Sequence, residues 1–262
     1  MLWLIDVDPD LRFEAFDREC FLRRLAPTTA ETYWTAWLSV AKMLGVPARP
    51  DDKKVAQRLA SRSASYPIHF PEPMTKKHLD ALRARFSKTL AGPVAMIAAC
   101  WTLGQRISDF MQIATANVSV TVHGRLSILI NKGKLVSKGS IPPYHLFLDW
   151  DHTAAQELLA VHENAQREER LFLASPSNSP EEREALARIV RDLLHRIDAK
   201  LELRSIRRGG LQHMASQEDT TLQEVLDHSR HTDVDMLNRY LDWGRHARQT
   251  EEAMARTTRK ML

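Results

Sequence analysis

At 262 residues, 44% of them hydrophobic, the chain is long enough to bury a sizeable core in one large domain with a small companion, and it reads as globular. A formal charge of +4, from 37 basic and 33 acidic residues, excludes a basic tail, so any charge meant for a polyanion must be local. Two cysteines, Cys20 and Cys100, exclude a disulfide framework or CxxC metal site, and the longest apolar run, near 94–100, is too short to cross a bilayer.

The opening MLWLIDVDPD lacks the basic start and length of a signal peptide and reads as a leader or as the scar of a trimmed sequence, and the expectation is a soluble, intracellular protein with buried thiols. Residues from about 11 to 63 read as three helices. Phe13, Phe16, Cys20 and Leu22 to Leu25 suggest the first. Thr28 or Thr29 caps the second, with Tyr33, Trp37, Val40 and Leu44 at helical spacing as its core stripe, and Asp51 opens the third. The proline-rich SASYPIHFPEPM has no helical period and divides the chain. The predicted organisation is a helical domain over 1–66, a linker over 67–74 and a larger domain over 75–262.

After the linker come a basic-surfaced helix, MTKKHLDALRARFSK, and an apolar one, LAGPVAMIAACWTLG. In GQRISDFMQI, Arg106 opens the next helix while Ile107, Phe110 and Met111 turn inwards, which holds its guanidinium near a packed core. The period then changes: Val118 to Val122 and Leu126 to Ile130 are β-rich runs joined by a His123-Gly124 turn, with NKGK as a second tight turn. These predict a small antiparallel sheet in a mainly α protein, an α+β class. YHLFLDW reads as strand-like, and with the helices HTAAQELLAVHENA and SPEEREALARIVRDLLHRIDAK it reads as scaffold.

Ser205 is a plausible N-cap for a helix that would carry Arg207 and Arg208 in its first turn. Cations are poorly placed there unless an anion shares that helix end. Gly209 and Gly210 cost helix stability, about 1 kcal/mol each relative to Ala, and make sense if another backbone approaches closely. A short helix, TTLQEVLDHSR, with Leu222, Val225 and Leu226 inwards, precedes TDVDMLNRYLDW, where Val234, Leu237 and Leu241 form the apolar side and the Tyr240 hydroxyl can face a groove. RHARQTEEAMARTTRKML closes the chain as a further helix. His228 and His231, with Asp227, Asp233 and Asp235 nearby, lack a third ligand at a recognised metal spacing, so neither a metal nor a cofactor is expected. His228 reads instead as a residue that caps or orients its neighbours.

RSIRRGGLQHMA followed by LDHSRHTDVDMLNRYLD resembles the end of the catalytic domain of the tyrosine recombinases, the phage integrase superfamily. Their pattern is His-x-x-Arg, later a His or Trp, and a nucleophilic Tyr nine residues beyond. The resemblance implies that Arg207 is the arginine of the first motif, His231 the His/Trp position and Tyr240 the nucleophile. Arg204 stands where the family has His, a departure that leaves the proton acceptor open between His231 and water; the similar type IB topoisomerases accept a lysine there. Arg106 resembles the first catalytic arginine in its G-x-R-I-S-E setting, with Asp109 as the acidic neighbour that would orient it by a charge-assisted hydrogen bond. The family's catalytic lysine lies in a β-hairpin turn, where Lys134 matches best and Lys132 and Lys138 compete. The first domain looks like an abbreviated core-binding module, and the terminal helix is of a kind that docks on a neighbouring subunit or on its own domain.

The implied activity is site-specific DNA recombination or integration through a 3′-phosphotyrosyl intermediate, on double-stranded DNA and as a homo-oligomer, a tetramer when two sites are synapsed. The RRGG run is reminiscent of eukaryotic DIRS-type mobile elements, which would place the protein in a nucleus; a bacterial one would act in the cytoplasm or nucleoid. Two alternatives keep part of the pattern. One is relaxation or telomere resolution by the same chemistry. The other is a DNA-binding protein inactivated at Arg204.

Overall fold

The computed structural model describes residues 12–46, 50–65, 71–133, 136–137, 139–165, 171–172, 179–230 and 234–241. The chain divides into two compact units, 1–70 and 71–262.

In the first unit, α1 (Arg12–Leu22), α2 (Pro27–Met43) and α3 (Pro50–Ser65) enclose a core of Phe16, Cys20, Ala30, Trp34, Trp37, Ala41, Val55 and Leu59. Helix α2 starts one residue before the expected cap, because Pro27 needs no N–H partner in a first turn. Its core stripe also differs from the expected one. Trp37 is buried, but Tyr33 and Leu44 are exposed, and Ala30, Trp34 and Ala41 face inwards instead. Two apolar series overlap on this helix, and the one that wins is fixed by Trp34, whose ring packs edge-on to Phe13 at 5.9 Å and tilted against Phe16 at 5.0 Å.

The second unit is built around α5 (Ala91–Thr102), whose residues Val94 to Trp101 are all buried. A helix apolar on every side must be surrounded, and α5 packs against α4 (Lys76–Phe86), α7 (Thr153–Asn164), α8 (Pro180–Ile197) and α9 (Leu203–Ala215). The short α6 (Ile107–Phe110) follows α5 directly, and it buries Ile107 and Phe110. The sheet is antiparallel in the order β1 (Val118–Val120), β2 (Arg125–Ile130), β3 (Tyr144–Asp149). Ile128 lies opposite both Val118 and Leu146, and Leu126 opposite Leu148, so one face of all three strands joins the core.

A smaller apolar cluster joins α9 to α10 (Leu222–Ser229) and α11 (Val234–Leu241): Leu211, Val225, Leu237 and Leu241. Leu222 and Val234, both expected inwards, are exposed at the first residues of their helices. Met74, at the end of the stretch read as linker, is fully buried in this unit; its N–H donates to the Ser205 carbonyl and its own carbonyl accepts from Trp101 Nε1 at 2.7 Å. Both cysteines are buried free thiols, and burial pushes the Cys100 thiol well above its ordinary pKa. No described helix is long and apolar enough to cross a membrane.

Candidate active site

Helix α9 carries the RSIRRGG run, but it starts earlier than the sequence suggests. Glu202 holds the N-cap position, and Ser205 sits one turn in, its hydroxyl accepting from the Glu202 N–H at 2.8 Å. The arginines are therefore displaced from the helix end. Arg204 lies in the first turn and is exposed, whereas Arg207 and Arg208 fall in the second turn and are buried. A phosphate shared between the α9 terminus and Arg207, as the first-turn reading required, does not follow from this geometry.

The two glycines do have the close neighbours expected of them. A Cβ on Gly209 would run into the backbone carbonyl of Met74, and one on Gly210 into that of Trp101. Helix α9 thus lies against two backbones at once, with Arg207 carried inwards beside the end of α5.

Arg106 is mounted immediately after α5. Gly104 turns the chain with φ +58°, which an L side chain rarely adopts, and Arg106 occupies the extended N-cap position of α6. Its Nη1 lies 3.9 Å from Oδ2 of the buried Asp109. That is an ion pair rather than the hydrogen bond expected from the resemblance. Asp109 has a second duty, since a Cβ on Gly133 would press on its carboxyl group. Gly133 therefore lies against Asp109. Lys134 and Lys138 lie outside the described residues; Lys132 is exposed.

Arg207 is 2% exposed. Its Nη2 donates to the Ser229 carbonyl at 2.9 Å, and its guanidinium carbon sits 5.3 Å from the centre of the Tyr240 ring, a cation–π distance. Burial, and next the neighbouring charge of Arg106, pull its pKa down to about 10, so it remains a cation at neutral pH. Tyr240 is half-buried on α11, between Leu237 and Leu241 of the smaller cluster, and the Gln212 side chain donates to its backbone carbonyl at 2.9 Å. Arg106, Asp109, Arg207 and Tyr240 are thus brought into one neighbourhood. Arg204 points to solvent, and His231 lies outside the described residues.

His228 is half-buried at the end of α10, with a buried Nε2 that has no hydrogen-bond partner among the described residues. Desolvation lowers its pKa, helped by Arg230 and Arg207 and opposed by the nearby Leu103 backbone. Its backbone carbonyl accepts from the Gln105 side chain at 3.1 Å, a bond that joins the end of α10 to the segment before α6 and that any residue at this position could accept.

Three residues of this neighbourhood were not singled out from the sequence. Tyr144, read as scaffold, is half-buried at the start of β3; its hydroxyl meets Gln105 Oε1 at 3.3 Å and its ring lies 5.0 Å from the Arg230 guanidinium. Burial and the nearby Asp109 raise its pKa, against the pull of Arg207, Arg106 and Arg230. The available signal was strand alternation: Tyr144 shares a parity with Leu146 and Leu148, which places it on the inward face. For Gln105 the signal was a lone polar side chain between an apolar helix and Arg106. Arg230 adopts φ +55° at the C-cap of α10, and nothing in the sequence marks it.

Among the described residues, no group of three or more His, Cys, Asp or Glu side chains could hold a metal. A cavity of about 500 Å³ between α4, α5, the start of α7 and α9 is lined by residues including Trp101, His152, His213 and Met214, and by none of the site residues above.

No family model and no curated protein sequence matches the chain. Solved structures do. The chain is similar to the XerH site-specific recombinase in a post-cleavage complex with palindromic difH (TM-score 0.64, 15% identity, 96% of this chain and 73% of that one). It is also similar to XerA recombinase (0.53, 13%, 98% and 92%) and to a lambda integrase tetramer on a Holliday junction (0.60, 11%, 91% and 66%). With its mainly helical build, its three-stranded antiparallel sheet and these likenesses, the chain has the tyrosine-recombinase fold.

Proposed function

We propose that the protein is a site-specific DNA recombinase or integrase that cuts and rejoins duplex DNA through Tyr240. The observation that carries this reading is the convergence of Arg106 and Arg207, held by different elements, with the Tyr240 ring directly under one of them. A phenol with an ordinary pKa of about 10 is a poor nucleophile at neutral pH. It must lose its proton, to His231 or to water, as it attacks, while fixed cations hold the charge that develops on the phosphoryl oxygens. Two guanidinium forks suit the non-bridging oxygens of that phosphate.

In this mechanism Tyr240 displaces a 5′ oxygen and carries a 3′-phosphotyrosyl bond. That bond conserves the energy of the broken phosphodiester, so a 5′-hydroxyl can reverse the step without ATP. Lys134 protonates the leaving oxygen and His231 adds a hydrogen bond to the phosphate, roles taken from the resemblance; for Lys134, the chain neighbour Gly133 lying against Asp109 favours the assignment. Arg204, being exposed, contributes to DNA backbone binding rather than to the tyrosine's proton transfer. The related XerH and lambda integrase structures, with DNA in their complexes, favour double-stranded DNA as partner and a homo-oligomer on it. Integration or excision of a mobile element, in a nucleus or nucleoid, is the setting that fits such an enzyme.

The test is a pool of nicked suicide duplexes randomised around the nick, incubated with protein and run on a denaturing gel. Wild type is expected to give a protein-linked band that Tyr240→Phe abolishes while DNA retention is unchanged. An adduct that survives Tyr240→Phe removes Tyr240 as the nucleophile. DNA binding with no adduct from wild type refutes the enzyme. Supercoil relaxation without strand exchange would assign the same chemistry to a topoisomerase instead.

A further inference from the structure

We propose that Tyr144 is a positioning residue for strand cleavage: through the buried amide of Gln105 it ties the edge of β3 to the chain segment that carries Arg106, and it seats Arg230 on its ring. The proposal rests on the reading that Arg106, Arg207 and Tyr240 form a cleavage site.

Gln105 is 1% exposed, and the partners of its amide fix which way it faces. Its Nε2 donates to the carbonyls of Leu103 at 2.9 Å and of His228 at 3.1 Å, so both N–H groups are committed to backbone acceptors. Oε1 is then the atom turned to Tyr144, and the phenol must be the donor. A phenolate could not make this bond, and the upward shift of the Tyr144 pKa keeps the proton in place at neutral pH.

Three pieces of chain therefore meet at one side chain. The Gly104 to Arg106 segment aims Arg106. The end of α10 contributes the His228 carbonyl to Gln105 and, one residue later, the Ser229 carbonyl to Arg207. Strand β3 contributes Tyr144 itself. Arg230, following Ser229 in a left-handed conformation, lies over the Tyr144 ring, which gives an otherwise exposed guanidinium a seat facing the same neighbourhood. Loss of the Tyr144 hydroxyl leaves the fold intact and Gln105 still bonded to the His228 carbonyl of α10, but it releases the Gln105–Arg106 segment from strand β3. At 3.3 Å the bond is long for an O–H···O pair, so the effect of losing it is modest.

The test uses the full chain and the same randomised pool of nicked duplexes, and it follows the rate of adduct formation against DNA concentration. Tyr144→Phe is expected to slow the rate at saturating DNA about tenfold, less than the roughly hundredfold that a full ångström of misplacement costs, with the half-saturating concentration unchanged. Gln105→Leu should slow it at least as much, and the double variant should be no slower than Gln105→Leu alone, because the one bond that Tyr144→Phe removes is already lost with the Gln105 amide. Wild-type rates in Tyr144→Phe, a loss confined to the half-saturating concentration, or multiplied effects in the double variant would each overturn the proposal. Absence of any adduct from wild type fails the recombinase reading itself and takes this inference with it, and that result is distinct from the other three.

Discussion

His228 is half-buried one residue before the Ser229 carbonyl that receives Arg207, and its protonation state bears on the stability of that corner. Desolvation is the largest influence on it and disfavours the imidazolium, so its pKa in the fold lies below the ordinary 6.5. The unfolded chain therefore binds more protons than the native one at pH values between the folded pKa and about 6.5. The contribution is fully present above that upper limit and is lost as the pH falls through the window. Chemical denaturation at about pH 7 and about pH 5.5 should show wild type losing more stability on acidification than His228→Asn, which keeps a short polar side chain without a titrating group. Equal losses in the two proteins would contradict the assignment. Arg207, by contrast, stays charged throughout this range, because even its lowered pKa of about 10 is far above it.

Helix α9 shows how a local cost can be reversed by packing. By intrinsic propensity, Ala at Gly209 or Gly210 should gain about 1 kcal/mol. The added methyl would instead enter the Met74 or Trp101 backbone, where no side chain can swing aside, and overpacking of this kind costs about 1–3 kcal/mol or more. The backbone clash is the larger effect. Gly209→Ala and Gly210→Ala are each expected to lower the free energy of unfolding by about 2 kcal/mol. Gly92→Ala, in α5 with nothing near its Cβ position, should raise it by up to about 1 kcal/mol. Denaturant midpoints of the three variants check the sign of each. This helix also marks how far the sequence could be read. The glycine pair announced a close backbone approach, and the strand periods located β1 and β2, because both signals are local. The start of α9 was misplaced by three residues, since Ser205 serves the cap from inside the helix rather than from its end. The α2 stripe was misplaced because Trp34 is selected by rings on another helix. Tyr144 and Gln105 were missed for the same reason: their significance exists only where β3, α10 and the segment before α6 meet.

At the scale of the molecule, the position of Met74 decides where the second unit begins. Proline content alone put a linker over 67–74, but composition cannot show which linker residue is already pinned at its far end. Met74 is fully buried, and its backbone is bonded in both directions, to the Ser205 carbonyl and from Trp101 Nε1. Removing it would empty a buried site, leave the indole N–H without its acceptor and uncover the face of Gly209. A buried Met truncated to Ala costs about 2–5 kcal/mol, and an orphaned buried donor adds about 1–3 kcal/mol. Against the total of about 5–15 kcal/mol that a domain commonly has, that is enough to decide whether it folds. A fragment starting at Pro71 is therefore expected to unfold cooperatively, since it holds the α5 core, the sheet and the α9–α11 cluster complete. A fragment starting at Thr75 should be less stable by about 3 kcal/mol or more. Guanidinium melts of the two fragments, followed by their tryptophan emission, provide the comparison. Coincident melts would mean that Met74 merely lies against the unit, and the boundary would then move back to Thr75.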